Sequence, residues 1–228
     1  MNRVAMVTGG NGGIGRVVSE ELIKNGYKVS LLDLEILLND SETLLAQKCD
    51  ITMTDEVGKA TARTLEKFGR IDVLVNAAGK SHLGTIDKLE LEDLDRIYDV
   101  NVKGTFNVSK AVLPIMREQK SGHIINIGSL RGIECAKAKA AYSMSKSAVI
   151  AFSKTLRKEV EEFGIKVTVI NPGFVQTNLI RHRIEDENLK PSDLTQPSDI
   201  ANTILYLLDL SPGACVEQLN IGRLWGFE

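Results

Sequence analysis

The chain has 228 residues, of which 43% are hydrophobic and 25% are charged, and its formal net charge is −2. This length suits one large domain whose core needs neither disulfides nor metals for stability. The near-neutral charge gives no electrostatic reason to expect nucleic acid or an anionic membrane as a partner. No apolar run approaches the roughly 18 residues of a membrane span, and the start does not resemble a signal peptide, so we expect a cytoplasmic protein.

The cysteines and histidines give no sign of a metal site. Cys49, Cys135 and Cys215 are widely spaced and form no Cys-x-x-Cys pair, so free thiols in a reducing compartment are expected. The three histidines are scattered, and no pair of them has metal-ligand spacing. We therefore expect neither disulfides nor a bound metal.

Short apolar runs alternate along the chain with longer segments of helical periodicity. The predicted strands are Val4–Val7, Lys28–Leu32, Ile71–Val75, His123–Ile127, Lys166–Ile170 and Val216–Ile221. The predicted helices cover residues 14–25, 55–67, 91–119, 142–162 and 198–209. Apolar strands separated by helices indicate a parallel sheet that is covered on both faces. The prediction is an α/β fold: one doubly wound Rossmann-type domain over residues 1–228, with a parallel sheet of about seven strands.

Two segments depart from this alternation. The stretch Leu34–Lys48 is short for a helix with its connections, so the sheet is expected to be trimmed at this corner. Residues 178–197 mix basic and acidic side chains and contain Pro191 and Pro197. A mobile loop that acts as a substrate lid fits this composition better than a core element does.

A glycine-rich run, Thr8-Gly9-Gly10-Asn11-Gly12-Gly13-Ile14-Gly15, lies between the first predicted strand and the first helix. Glycines at such a junction allow a tight turn, backbone approach to a pyrophosphate and close packing of helix on strand. The first N–H groups of the helix have no internal partners and carry the positive end of its dipole. The place of this run after a strand and before a helix predicts dinucleotide binding rather than a merely structural turn.

Asp33 ends the second predicted strand, where a carboxylate can accept hydrogen bonds from the adenosine ribose and repel a 2′-phosphate. Leu34 follows, where an arginine could have bound that phosphate, and Arg16 at the helix start can simply be solvated. The prediction is therefore NAD rather than NADP. The alternative is that Asp33 only caps the next turn.

Four polar residues form a possible catalytic group. Tyr142 and Lys146 are four residues apart on one helix face, Ser129 follows the strand His123–Ile127, and Asn101 lies in the preceding helix. A carbonyl that accepts hydride becomes an alkoxide, so it needs a proton donor and a second hydrogen-bond donor. Tyr142 could exchange the proton and Ser129 could hold the oxygen. The charge of Lys146, together with that of oxidised nicotinamide, is expected to lower the pKa of the phenol.

The motifs occur in a characteristic order: Thr8-Gly9 with Gly13 and Gly15, then Asn76-Ala77-Ala78-Gly79, Asn101, Ser129, Tyr142 with Lys146, and Pro172-Gly173. In this the chain resembles the single-domain branch of the short-chain dehydrogenase/reductase family, from about residue 3 to residue 222. The resemblance implies that Tyr142 is the catalytic acid/base and that Ser129 positions the substrate oxygen. It also implies that Lys146 binds the nicotinamide ribose and that Asn101 holds a water in a proton relay through Lys146.

The same resemblance assigns cofactor contacts beyond the glycine turn. Asp50 and Ile51 would border the adenine, and the run Asn76–Gly79 would form the wall beside the adenosine. Phe174, Val175 and Thr177, which follow Pro172-Gly173, would meet the nicotinamide carboxamide. The chain departs from many relatives at 219–225, where Leu219-Asn220-Ile221-Gly222-Arg223-Leu224-Trp225 replaces an Asp-Gly-Gly turn, and in its short segment after Thr177. In the family these regions shape the substrate pocket and the subunit contacts, so the substrate and the subunit arrangement stay open.

The helices at 105–116 and 142–160 are apolar over most of their circumference. They either form a deep core or also pack against a second subunit, as the resemblance implies, and a homodimer or homotetramer is expected. The pocket for a small alcohol or carbonyl substrate is expected from residues 80–86, 130–135 and 173–197. Arg131 in this region either meets an acidic substrate or is an exposed loop residue.

The leading prediction is an NAD-dependent oxidoreductase that acts on a secondary alcohol or ketone. An NADPH-dependent 3-ketoacyl-thioester reductase is the alternative enzyme, and Asp33 and Leu34 argue against it. A regulator that senses NAD without turnover is the alternative from another class. Such a sensor would be expected to lack part of the Asn/Ser/Tyr/Lys set, which this sequence contains in full.

Overall fold

The computed structural model describes residues 3–180, 190 and 193–224. Within these residues seven strands form one sheet, in the order β3-β2-β1-β4-β5-β6-β7, and every neighbouring pair is parallel. The strands are β1 Val4–Thr8, β2 Lys28–Asp33, β3 Leu44–Lys48, β4 Val73–Asn76, β5 Gly122–Ile127, β6 Ile165–Pro172 and β7 Gln218–Ile221. The predicted doubly wound Rossmann-type fold is thereby confirmed.

Helices cover both faces of the sheet. They are α1 Gly13–Lys24, α2 Thr54–Phe68, α3 Leu91–Tyr98, α4 Thr105–Gln119, α5 Ala140–Val160 and α6 Pro197–Asp209. Helices α1 and α6 contribute to one apolar cluster with β1 and β2, whereas α2, α4 and α5 contribute to the other. Because each central strand packs on both sides, its residues are apolar on both faces, as in β1, whose five residues are all buried.

The sequence prediction missed β3 as a strand. It is short, lies at the sheet edge and contains Gln47, whose buried amide donates to the hydroxyls of Ser30 and Thr64 and to the Ala60 carbonyl. This polar residue interrupts the apolar run that would have revealed the strand. The connection from β2 to β3 contains no helix, as the short stretch Leu34–Lys48 indicated, but the sheet itself is not trimmed there because β3 pairs with β2.

The predicted single helix over residues 91–119 is divided. A π-helical segment, Asp99–Gly104, separates α3 from α4 and carries the predicted site residue Asn101. Such wide turns often occur at functional sites. Among the described helices none is long and apolar enough to cross a membrane.

The predicted substrate lid at 178–197 lies largely outside the described residues, and its role stays a prediction. The part that is described consists of a single turn at Asn178–Ile180, residue 190, and the chain from residue 193 onward. Backbone hydrogen bonds then join Thr195 to Phe174 and Gln176, so this returning segment lies beside the chain that follows β6.

Candidate active site

Several positions of the turn after β1 must be glycine, because a side chain there would clash with neighbouring atoms. Gly9 has φ +68°, and a Cβ on it would lie 2.7 Å from Cα of Ala78. A Cβ on Gly15 would lie 2.2 Å from the Gly9 carbonyl oxygen, and one on Gly13 would lie 2.5 Å from Thr177 Cγ2. The turn thus leaves its backbone at the surface of a cleft, as a pyrophosphate site requires.

A cleft of about 410 Å³ opens beside this turn at the carboxyl ends of the strands. Most of the predicted cofactor residues line it: Gly9, Asn11, Gly12, Gly13, Ile14, Gly15, Asp33, Asp50, Ile51, Ala77, Ala78, Gly79 and Thr177. A smaller cavity of about 90 Å³ continues from it and is lined by Tyr142, Lys146, Pro172, Gly173 and Val175. The two share Ile14, Ala77, Gly79, Thr177 and Leu179, so they form one continuous groove. An extended dinucleotide fits such a groove, with its phosphates at the glycine turn.

Asp33 stands at the far end of this cleft. Its carboxylate accepts hydrogen bonds from the backbone N–H groups of Asn11 (2.9 Å) and Leu34 (2.8 Å). Asp33 thus closes the local turns, as the alternative interpretation predicts, and it also lines the cleft, while its contact with the ribose stays a prediction. Arg16 lies at the surface near Glu20 (3.8 Å), as a solvated side chain would.

Asn76, which was predicted to border the adenosine, has its side chain in the protein interior. Its amide donates to Ser109 Oγ (3.1 Å) and to Asn126 Oδ1 (2.8 Å), and Asn126 in turn donates to Ser153. Asn76 is therefore not among the described residues that line the cleft. The neighbouring strand β5 and helix α4 supply partners for the NH₂ group of this buried amide, whereas its Oδ1 has none in the described chain.

The wall that follows β4 is fixed to the glycine turn by Thr8. Its hydroxyl accepts from the backbone N–H groups of Ala77 and Ala78, each at 3.2 Å. Beyond it, Gly79 faces two predicted catalytic residues: a Cβ there would lie 3.4 Å from Asn101 Oδ1 and 3.5 Å from Lys146 Nζ. The structure thus brings Asn101 and Lys146 together beside the groove.

Lys146 is buried, and its ammonium donates to the Ile127 carbonyl (2.8 Å) at the end of β5. Removal from water disfavours the charged form and lowers the pKa of Lys146 to about 8. Its Nζ lies 5.9 Å from the centroid of the Tyr142 ring.

The phenol of Tyr142 interacts with Ser129. Burial raises the pKa of Tyr142 above its ordinary value, and the hydrogen bond with Ser129 opposes that rise. The sequence predicted a lowered pKa for Tyr142. The chain alone instead gives a raised one, because desolvation outweighs the hydrogen bond that stabilises the phenolate. Ser129 itself accepts from the Arg131 N–H (3.1 Å) and lies 3.5 Å from the Pro172 carbonyl oxygen.

Both the oxygen and the nitrogen of the Asn101 side chain form hydrogen bonds. Its Oδ1 accepts from the backbone N–H of Lys80, and its Nδ2 donates to the carbonyl of Lys80 and to Ser145 Oγ. It ties the segment after β4 to helix α5, which carries Tyr142. This side-chain bonding does not by itself place a water there, so the relay role stays a prediction.

Lys80 and Leu179 line the cleft, and both fall in the ranges 80–86 and 173–197 from which the sequence predicted the substrate pocket. Lys139, which lies beside Tyr142, was not identified by the sequence analysis. No local pattern marks Lys80 or Leu179, while Lys139 precedes the Tyr-x-x-x-Lys motif by three residues. Within the described part of the chain no group of histidines, cysteines and carboxylates could hold a metal.

Cys49 also lines the cleft, and its thiol is free, as are those of Cys135 and Cys215. Burial raises the pKa of Cys49 to about 12. The thiol is therefore neutral at physiological pH and is not a nucleophile.

Comparison with known proteins agrees with this geometry. The model of the short chain dehydrogenase family matches residues 3–188. An uncharacterised oxidoreductase of Staphylococcus saprophyticus is 36% identical over 230 residues, which cover 96% of this chain and 97% of that protein. Another from Staphylococcus aureus is 33% identical, with 96% of each chain covered.

Solved structures extend the likeness to the whole fold. ElxO with NADP bound has a TM-score of 0.89 at 27% identity, covering 97% of this chain and 98% of that one. The 3-ketoacyl-(acyl-carrier-protein) reductase from Brucella melitensis, complexed with NADH, has a TM-score of 0.88 at 27% identity, with 96% of each chain covered. The fold and the groove define a nicotinamide-dependent oxidoreductase. The chain belongs to the short-chain dehydrogenase family, whose members act on small molecules.

Proposed function

We propose that this protein is an NAD-dependent oxidoreductase that transfers hydride between nicotinamide and a secondary alcohol or ketone. One observation carries the proposal: the small cavity lined by Tyr142 and Lys146 opens directly into the cleft that begins at the glycine turn. A reacting group can therefore meet both a bound nucleotide and a proton donor. A non-catalytic sensor would need the cleft but not this cavity.

The proposed chemistry assigns one task to each side chain. Bound nicotinamide would supply or accept the hydride. Tyr142 would give a proton to the substrate oxygen in reduction and take one in oxidation, while the Ser129 hydroxyl would hold that oxygen. Lys146 is anchored by the Ile127 carbonyl and would bind the ribose, and its positive charge would favour the phenolate. Asn101 would keep Lys80 and helix α5 in place.

The choice of NAD depends on Asp33. A 2′-phosphate placed at this end of the cleft would meet a carboxylate, and like charges at close range disfavour binding. The position of Lys48, however, favours the NADPH-dependent alternative. Lys48 is the register partner of Asp33 in the parallel strands β2 and β3, and it is exposed. In that alternative Lys48 would supply the cation for the 2′-phosphate, although it is not among the described residues that line the cleft. The likeness to structures with NADP and with NADH supports either cofactor.

Separate titrations with NADH and NADPH, followed by nicotinamide fluorescence, test this choice. We expect tight binding of NADH and weak binding of NADPH, and Asp33→Ala should reduce the difference by about 10-fold or more because a repelling carboxylate is lost. Lys48→Ala should leave NADH binding unchanged, as should Asp95→Ala, which removes an exposed carboxylate on α3. Tight NADPH binding that Lys48→Ala abolishes would instead establish the reductive alternative.

The subunit arrangement is part of the same proposal. Phe106 on α4 and Met144 on α5 are about half exposed, at 47% and 50%, and Phe106 contacts Phe152 with ring centroids 5.9 Å apart. These apolar side chains support a homodimer or homotetramer built on α4 and α5. Light scattering should give two or four subunits, and Phe106→Glu should reduce that number. We also propose a cytoplasmic location, which the three free thiols support.

A further inference from the structure

Lys80 directly follows Gly79 and lines the nucleotide cleft, although the sequence predicted this position for the substrate pocket. Among the described residues that line the cleft, Lys80 carries the only positive charge, whereas Asp33 and Asp50 carry negative charges. Lys80 is exposed, and its ammonium has no hydrogen-bond or ion-pair partner in the part of the chain that the structure describes. Its charge is therefore available to a ligand of the cleft.

The backbone of Lys80 is held on both sides by one buried side chain. Asn101 is fully buried in the π-helical segment Asp99–Gly104. Its Oδ1 accepts from the Lys80 N–H (2.8 Å), and its Nδ2 donates to the Lys80 carbonyl (2.9 Å) and to Ser145 Oγ on helix α5 (3.0 Å). Because the backbone is fixed in this way, only the lysine side chain must become ordered when it binds a ligand, which lowers the entropic cost of binding.

Lys80 also lies near the middle of the groove. Its neighbour Gly79 lines both the nucleotide cleft and the smaller cavity, so the two meet beside Lys80. The cleft extends from there to Asp33, and the smaller cavity extends to Tyr142. A nicotinamide dinucleotide carries its pyrophosphate between its two nucleosides. The pyrophosphate is therefore expected in this middle part of the groove.

The glycine turn alone supplies less positive charge than a pyrophosphate needs. The N-terminus of a helix such as α1 is equivalent to roughly half an elementary charge, whereas both phosphate groups of the dinucleotide are anionic. Asp33 and Asp50 add further negative charge to the same cleft. Like charges at close range disfavour binding, most strongly where water is displaced. A cation in the middle of the groove would offset this repulsion.

We propose that Lys80 binds the pyrophosphate of the nicotinamide cofactor, together with the backbone of the glycine turn. An ammonium group binds phosphate oxygens as a point charge with three hydrogen-bond donors. The proposal rests on the proposed function in one respect, that a nicotinamide dinucleotide occupies the groove. It holds for NADH and NADPH alike, because both contain the pyrophosphate.

The nearest other cations have different contacts. Arg16, near the start of α1, lies 3.8 Å from Glu20 at the surface. Lys146 lines the smaller cavity, where its ammonium donates to the Ile127 carbonyl. Neither of them is among the described residues that line the nucleotide cleft. We therefore expect neither to replace the charge of Lys80 when it is removed.

The test measures NADH binding by nicotinamide fluorescence in the wild type, Lys80→Gln and Lys80→Arg. At about 0.01 M salt, where charges act over roughly 30 Å, Lys80→Gln should raise the Kd of NADH by about 3- to 10-fold. At about 1 M salt, where this range falls to roughly 3 Å, the difference should shrink to about 2-fold or less. Lys80→Arg keeps the charge and should bind nearly as well as the wild type.

Two further ligands identify the group that Lys80 binds. ADP-ribose contains the pyrophosphate but no nicotinamide, and its Kd, measured by calorimetry, should rise in Lys80→Gln by the same factor as that of NADH. The Kd of NADPH should also rise by this factor. A loss confined to NADPH would assign Lys80 to the 2′-phosphate, and a higher KM for substrate with unchanged NADH binding would assign it to the substrate. Either result would overturn the proposal.

Lys88→Gln is the matched control, because it removes an exposed lysine from the segment after β4 that is not among the described residues lining the cleft. It should leave the Kd of NADH unchanged, and an equal loss in Lys88→Gln and Lys80→Gln would contradict a specific contact. Unchanged NADH and ADP-ribose binding in Lys80→Gln, with tight binding in the wild type, would refute this inference alone. A wild type that binds neither NADH nor NADPH would refute the proposed function as well.

Discussion

The two ends of the groove are built in different ways. At the nucleotide end, Gly9, Gly13 and Gly15 expose the backbone, and tight contacts leave no room for side chains. At the proposed catalytic end, Ser129, Tyr142 and Lys146 would act through side chains that hydrogen bonds hold in place. The shape of the nucleotide end depends on the absence of side chains in the turn, whereas the catalytic end depends on charge and hydrogen bonding. Substitutions at the two ends should therefore have separable effects on nucleotide binding and on turnover.

After the loss of the Tyr142 phenol, removal of the Ser129 hydroxyl should give the largest effect that is confined to the catalytic end. We expect Ser129→Ala to lower kcat by about 10²–10³-fold, because it removes one donor to the developing oxyanion. The Kd of NADH should change little, since Ser129 is not among the described residues that line the nucleotide cleft. Steady-state kinetics and a fluorescence titration measure the two quantities.

Ser143→Ala is the control for that comparison. Ser143 adjoins Tyr142, and its buried hydroxyl has no hydrogen-bond partner in the described chain, so its removal breaks no such bond. Its kcat should stay near that of the wild type. A comparable loss in both variants would mean that any change near Tyr142 disturbs the site, and the assignment of Ser129 would fail.

The strand behind the catalytic end should make the fold sensitive to acid. His123 is buried at the start of β5, and burial, with the charge of Lys166, lowers its pKa to about 4. The Thr168 hydroxyl donates to the Val216 carbonyl, so His123 Nε2 donates to Thr168 (2.8 Å), and the lowered pKa keeps the ring neutral near pH 7. An ionised ring would lie uncompensated in the core.

The unfolded chain binds this proton near pH 6.5, whereas the folded chain binds it only near pH 4. As pH falls between these values, the free energy of unfolding should therefore decrease by about 3 kcal/mol through His123 alone. Urea unfolding at pH 7.5 and pH 4.5 should show this loss in the wild type and a smaller one in His123→Gln. Equal losses in the two proteins would contradict the buried neutral ring.

A methyl group in the glycine turn should weaken the nucleotide end. Gly15→Ala would place its Cβ 2.2 Å from the Gly9 carbonyl oxygen, so the turn must shift. Overpacking of this kind costs about 1–3 kcal/mol, and we expect the Kd of NADH to rise about 10- to 100-fold. The kcat at saturating nucleotide should fall much less, in contrast to Ser129→Ala.

The smallest effect should come from Gly58→Ala, the control for the glycine turn. Gly58 lies within α2, and a Cβ there meets nothing within 4 Å. Alanine should therefore stabilise the helix by about 1 kcal/mol without changing nucleotide affinity. Weaker binding in Gly58→Ala would mean that glycine content in general, rather than the shape of the turn, controls the cleft.

The same contrast explains what the sequence could predict. The glycine turn and the pair Tyr142–Lys146 follow local rules of spacing, so the sequence placed them on the correct elements. The interior position of Asn76 depends on Ser109 and Asn126, which are 33 and 50 residues away, and no local pattern encodes it. Strand β3 was missed because Gln47 is a polar residue that is buried, and its NH₂ group donates to partners on two other elements, β2 and α2. Lys139 looks like a surface residue until the 81–84 segment packs on it.

The central claim is that Tyr142 exchanges the proton in an NAD-dependent reaction. Tyr142→Phe tests it most directly, by parallel measurement of turnover with an alcohol or ketone and of NADH binding, with the exposed Tyr206→Phe as control. The account predicts that Tyr142→Phe lowers turnover by about 10²–10⁴-fold while the Kd of NADH stays within a few-fold of the wild type. Turnover that survives in Tyr142→Phe would contradict it.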